Sequence, residues 1–118
     1  MISREFAEHF AEEWISAWNA HDFVRILSHY EDDFEMASPR IADIAGEPSG
    51  VLRGKESVGA YWAKGLWLIP DLHFEQVGVF VGARSIAIHY RNQVGRLVVE
   101  TFEIGASGLV ARAAAHYA

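Results

Sequence analysis

A chain of 118 residues, 51% hydrophobic and 13% aromatic, has the length for one packed domain and the composition to fill its core, which excludes a second domain and a disordered chain. The formal charge of −6, with ten scattered Lys and Arg, excludes a nucleic-acid backbone or an anionic membrane as the main partner and suits a neutral or apolar small molecule. The absence of cysteine excludes disulfides and thiolate chemistry, and a charged N-terminal stretch, MISREFAEHF, with no apolar run of spanning length, leads us to expect a soluble, cytoplasmic protein.

Ser3 is placed to cap a first helix in which Phe6, Phe10, Trp14 and Trp18 recur every four residues, with Ala7, Ala11 and Ile15 beside them. Glu5, Glu8, Glu12 and Glu13 mark its wet side. Phe6 and Phe10 read as core; Trp14 and Trp18 stay open between core and ligand contact. Asn19 and Asp22 end this helix, and Asp22 caps a second from 23 to about 30, with Val24, Ile26, Leu27 and Tyr30 on its apolar side. Glu31, Asp32 and Asp33 lack the spacing of a calcium loop and read as a solvated turn. A short strand is expected over 34–37. Residues 38–54, rich in Pro, Gly and charge, read as a long loop or irregular crossover.

Gly54 opens a third helix whose Val58, Tyr61, Trp62 and Leu66 share a face, and Pro70 and Asp71 end it. The period then changes to two. Residues 72–81, 85–92, 97–104 and 109–117 read as four strands of an antiparallel meander, with turns at Gly82, Gly95, Gly105 and Gly108. Helices first and strands last give an α+β domain with helices on one face of a curved sheet. Val77, Val79, Val81 and Val99 read as an apolar second face of that sheet.

In LVVETFEI, alternation places Glu100 on one face with Val98, Phe102 and Ile104. A carboxylate among apolar neighbours is costly unless it is paired, hydrogen-bonded or neutral. Glu100 is therefore the candidate chemical group, with two alternatives beside it: exposure on a wet face, or an ion pair with Arg91 or Arg112. His89, on the preceding strand, is its candidate partner if the two share a face. In the last strand Leu109, Ala111, Ala113, Ala115 and Tyr117 alternate onto one side. That row of small residues admits either a closely packed helix or a ligand, and Tyr117 offers a hydroxyl. His73 and His116 read as surface residues, and with no HxH or HExxH spacing no metal is expected.

The run WISAWNAHDFVRILSHYEDDFEM, Pro39, LRGKESVGAYW, PDLHFE and VETFEIGASGLVARAAAHY, in this order and spacing, resemble the SnoaL-like branch of the nuclear transport factor 2-like (NTF2-like) superfamily over about residues 6–117. The resemblance implies a single domain over 1–118 with an NTF2-like cone. In it three N-terminal helices pack on a strongly curved, mostly antiparallel sheet that encloses an apolar pocket, and dimers form through the sheet. The superfamily includes ketosteroid isomerase, polyketide cyclases, scytalone dehydratase, limonene epoxide hydrolase and non-enzymatic members, so fold does not settle function. By resemblance the isomerase's base aligns with Ser38, its oxyanion tyrosine with Trp14 and its oxyanion aspartic acid with Glu100. A serine hydroxyl is too weak a base to take a carbon-bound proton unaided, which argues against the steroid isomerase reaction.

The SnoaL-type cyclases look closer, since they use an acid on a late strand with a nearby histidine. This implies general acid-base chemistry by Glu100 and His89 on a hydrophobic carbonyl compound, within a pocket lined by Trp14, Trp18, Ser38, Trp62, Phe102 and Tyr117. No cofactor is expected. The alternative is a non-catalytic module for ligand binding or dimerisation.

Overall fold

Ser3 Oγ accepts the Phe6 amide at 3.0 Å and starts α1 (Arg4–Asn19), whose Ala7, Phe10, Ala11, Trp14, Ala17 and Trp18 face the core. The structure, a computed structural model, describes all 118 residues. Phe6 departs from the core reading and is 41% exposed. Each four-residue step turns about 40° around a helix axis, so a run of such steps drifts off the buried stripe and leaves its first member on the flank. α2 (Phe23–Leu27) is capped by Asp22, as its sequence leads one to expect, but ends a turn earlier than the apolar pattern suggests. Tyr30 instead begins β1 (Tyr30–Ala37). The acidic trio thus lies in a strand, not a turn, where the pairing register shifts between Tyr30 and Glu35 and leaves Asp32 and Asp33 exposed.

The expected loop 38–54 holds two elements, α3 (Pro39–Ala45) and β2 (Val51–Arg53), so the helices number four. Pro39 keeps Ser38 out of the helix yet suits the first helical position, and the Ser38 hydroxyl caps α3 by accepting the Arg40 amide at 3.2 Å. Gly46, at φ 74°, ends it in the left-handed region. Gly50, at φ 72°, lets the chain close back on Ser38, where a Cβ would meet the Ser38 carbonyl oxygen at 3.1 Å. α4 (Lys55–Leu68) buries Val58, Tyr61, Trp62 and Leu66, the face read from the sequence.

The last four strands are β3 (Glu75–Val81), β4 (Ser85–Arg91), β5 (Leu97–Ile104) and β6 (Val110–Tyr117). They join β1 and β2 in one six-stranded sheet, ordered β2-β1-β6-β5-β4-β3, in which only β1 and β6 run parallel. Register shifts in the β1–β6, β3–β4 and β5–β6 pairs bend the sheet around the core. They also change which residues share a face. The shift between Gln76 and Gly78 sets Val79 opposite Ile88 and Val81 opposite Ile86, packed inward, so the four valines do not form one outer patch. The shift at Ile104 buries Val110 and exposes Leu109, leaving Ala113, Ala115 and Tyr117 as the inward part of the small-residue row. The outer face instead carries a strip of small side chains, Ala37, Ala114, Thr101 and Ala87, running by register from Val51 to an exposed Phe80. No helix is long and apolar enough to cross a membrane.

Candidate functional site

The concave face of the sheet and helices α1, α3 and α4 enclose a cavity of about 90 Å³, open on one side. Hydrophobic residues form most of its wall, and seven of the lining residues are aromatic. Trp14 and Trp18 come from α1, Trp62 and Tyr61 from α4, and Phe74 from the segment leading into β3. Trp18 and Trp62 meet edge to face with centroids 5.2 Å apart, and Trp14 stacks on Phe74 at 5.6 Å, which fixes these rings in place. Arg40, Asn92 and Gln93 are half-buried lining residues, whereas Glu100 lies deep.

Glu100 projects inward from β5 between Ile88 of β4 and Ala115 of β6, and is 5% exposed. Its one hydrogen bond comes from the Tyr90 hydroxyl to Oε1 at 3.1 Å. Neither alternative reading of this residue holds, since it is not wet and has no arginine. Arg91 pairs with Glu75 at 3.2 Å and Arg112 with Glu35 at 3.3 Å, both on the outer face. Burial pushes the Glu100 carboxyl up to about 7, against a smaller downward pull from the Tyr90 hydroxyl. Near neutral pH it is present as both acid and carboxylate, so it is able to give or take a proton.

The surrounding phenols are held protonated. Burial, and then the nearby Glu100 charge, push Tyr30 and Tyr90 well above the ordinary phenol value. Burial raises Tyr61 and Tyr117 too, while Ser38 and Arg40 draw both back in part. Ser38, 4% exposed, thus caps α3 and stands beside two phenols. Trp14 donates its indole N–H to the Tyr30 hydroxyl at 2.9 Å, so this position is a buried structural donor. The Trp18 indole N–H is buried without an acceptor.

Of the residues singled out from the sequence, Glu100, Trp14, Trp18, Ser38, Trp62 and Tyr117 meet at this cavity. Two do not. His89 pairs in register with Val99, on the opposite face of the sheet from Glu100, which sits across from Ile88. Strand alternation therefore rules out direct contact between His89 and Glu100. Phe102 is fully buried behind the cavity, packed edge to face on Phe10 and Trp14 with centroids 5.0 and 5.1 Å apart, and belongs to the core. His73 and His116 are exposed, as expected.

Three residues were missed. Tyr90 shares the parity of Ile86 and Ile88, a signal present in the sequence that points it inward beside Glu100. Tyr61 carried only a helical-face signal. Arg40 gave none, because its helix was read as loop.

A sequence profile described as the SnoaL-like domain matches residues 11–118. Among solved structures, a SnoaL-like protein of unknown function from Burkholderia thailandensis is 59% identical, with 99% of this chain and 98% of that one covered and a TM-score of 0.95. TerC, crystallised with polyporic acid, shares the fold at 11% identity, 96% and 92% coverage and a TM-score of 0.78. A cystatin-like-fold protein of unknown function from Methylobium petroleophilum does so at 19% identity, 99% and 78% coverage and a TM-score of 0.75. Comparison with curated proteins returned no match.

Proposed function

The chain belongs to the SnoaL-like domain family of NTF2-like cone folds, and from that premise we propose that it performs proton-transfer chemistry on a small apolar carbonyl compound, with Glu100 as the acid-base group. The observation that carries this reading is a lone carboxyl, deep in an aromatic cavity, with a proton affinity raised to about 7 and a single phenol as partner. As carboxylate, Glu100 takes a proton from a carbon next to a carbonyl and leaves an enolate. As acid, it returns that proton to a conjugated carbon, which isomerises the substrate, or to the alkoxide formed when the enolate carbon attacks a second carbonyl of the same molecule, which closes a ring; either way there is no net proton change. Tyr90 steadies the carboxylate form. His89 has no part in this scheme.

Size narrows the substrate. A closed apolar void of ~150 Å³ admits one benzene, and this cavity, about 90 Å³ but open on one side, takes at most one ring, part of it at the mouth. The fitting compound is monocyclic or acyclic, with further atoms at the open side. The experiment is deuterium exchange from solvent into enolisable monocyclic ketones, read by NMR alongside a carbon-detected titration of the Glu100 carboxyl. Exchange by the native protein that is lost in Glu100→Gln, with a titration midpoint near the raised value, supports catalysis. A midpoint in the free carboxylate range refutes it.

A second reading is favoured by Ser38. By the resemblance its hydroxyl stands where the isomerase has its base, and here it caps α3. The protein then binds a small molecule without turning it over, and ketones bind with no exchange above background. In either reading we assign the outer strip of Ala37, Ala87, Thr101 and Ala114 to a homodimer contact, because small side chains let a second sheet approach closely. Sedimentation of a monomer alone at tens of micromolar would refute that assignment.

A further inference from the structure

We propose that the ligand of this cavity is a small apolar acid, whose anionic group is received by the Arg40 guanidinium while its ring or chain enters the aromatic cage toward Glu100. The inference rests on the reading of the cavity as a small-molecule site, and it adds the chemical class.

Arg40 is the one cation among the lining residues, as Glu100 is the one acid. Of the other seven arginines, Arg4, Arg25, Arg53, Arg91 and Arg112 each hold a carboxylate within 4.0 Å, Arg96 donates to the Ala118 carbonyl, and Arg84, which has no side-chain partner, is exposed and away from this cavity. Arg40 holds none and makes no side-chain hydrogen bond. Its guanidinium stands 6.0 Å from the centre of the Tyr117 ring. A half-buried guanidinium with no anion, at the border of an apolar cavity, lacks the planar oxygen partner to which its donor geometry is suited.

The remaining polar groups agree in kind. The phenols of Tyr61 and Tyr117 are protonated, so together with Arg40 they offer donors along the lining. An oxygen-bearing ligand complements such a wall. Arg40 is half-buried and Glu100 5% exposed on the lining of the same cavity, which Tyr61 and Tyr117 also line, so an anion held at Arg40 leaves the rest of the ligand inside the cavity that holds the carboxyl.

The test uses monocyclic arylalkanoic acids of increasing chain length, each paired with its primary amide, titrated calorimetrically into the native protein, Arg40→Met, Arg40→Lys and an Arg84→Met control. Acid and amide share the ring and differ in charge. The expected result is tighter binding of the acid by about tenfold, the worth of one charge-assisted contact. Arg40→Met abolishes the difference by weakening the acid alone, Arg40→Lys retains part of it, and Arg84→Met changes nothing. Equal binding of acid and amide by the native protein, or a preference that survives in Arg40→Met, overturns the role of Arg40 and leaves the cavity reading standing. Failure of every acid and every amide to bind overturns both.

Discussion

Replacing Glu100 with Gln keeps the shape and an acceptor oxygen for the Tyr90 hydroxyl but removes ionisation, so its effect on stability should depend on pH in a way few other substitutions would. The carboxyl titrates at 4.5 when exposed in the unfolded chain and at about 7 when folded. Because the folded value is the higher one, folding is favoured by the protonated form. That contribution is complete below pH 4.5, declines as pH rises, and is gone above about 7. At about 1.4 kcal/mol for each tenfold change in proton affinity, the full decline is worth about 3 kcal/mol. Glu100→Gln does not suffer it. The variant should match the native protein in urea unfolding at pH 4.5 and exceed it by up to about 3 kcal/mol at pH 8, with other titrations cancelling between the two proteins. A difference that is the same at both pH values, or a variant that is less stable at pH 8, would refute the raised carboxyl and with it the acid-base proposal.

Tyr90→Phe removes the hydrogen bond that steadies the carboxylate, so the Glu100 midpoint should move above its native value in a carbon-detected titration. The stability cost at pH 8 should be about 1.5–3 kcal/mol, as for other bonds to a charged group. Ala115→Leu adds three carbons beside Glu100 in a cavity of about 90 Å³ and should abolish small-molecule binding by calorimetry while the fold persists by circular dichroism. Tyr30→Phe strands the buried Trp14 N–H and should cost about 1–3 kcal/mol, equally at pH 5 and pH 8, in the same unfolding assay. His89→Ala, on the far side of the sheet, should leave the Glu100 titration unmoved and stability within about 0.5 kcal/mol of native.

How much could be read beforehand divides along physical lines. Local patterns carried the caps Ser3 and Asp22, the buried face of α4 and the inward direction of Glu100, because each depends on residues a few positions apart. Pairing between strands did not carry over. His89 was matched to Glu100 as a neighbour in the hairpin, when its own alternation with Ile88 and Tyr90 sends it outward. The bulges in β3 and β6 have no residue signature of their own, so Val79, Val81 and Val110 turned inward unannounced. α3 was legible in principle from Ser38, Pro39 and Gly46, a cap, a first-turn proline and a left-handed stop. Reading 38–54 as a loop from its Pro, Gly and charge content hid that helix, and Arg40 with it.

Ser38 also bears on how such a cavity changes over generations. Serine and aspartate cap helices about equally well, so the start of α3 places little constraint on which of them stands there. An aspartate at 38 would face the Tyr61 and Tyr117 phenols as ready donors, in the cavity that also holds Glu100. A lineage could thus gain or lose a second carboxylate at a single position while the scaffold stays folded. Reactivity in this architecture is separable from its framework, and close relatives with nearly superimposable backbones need not share a reaction.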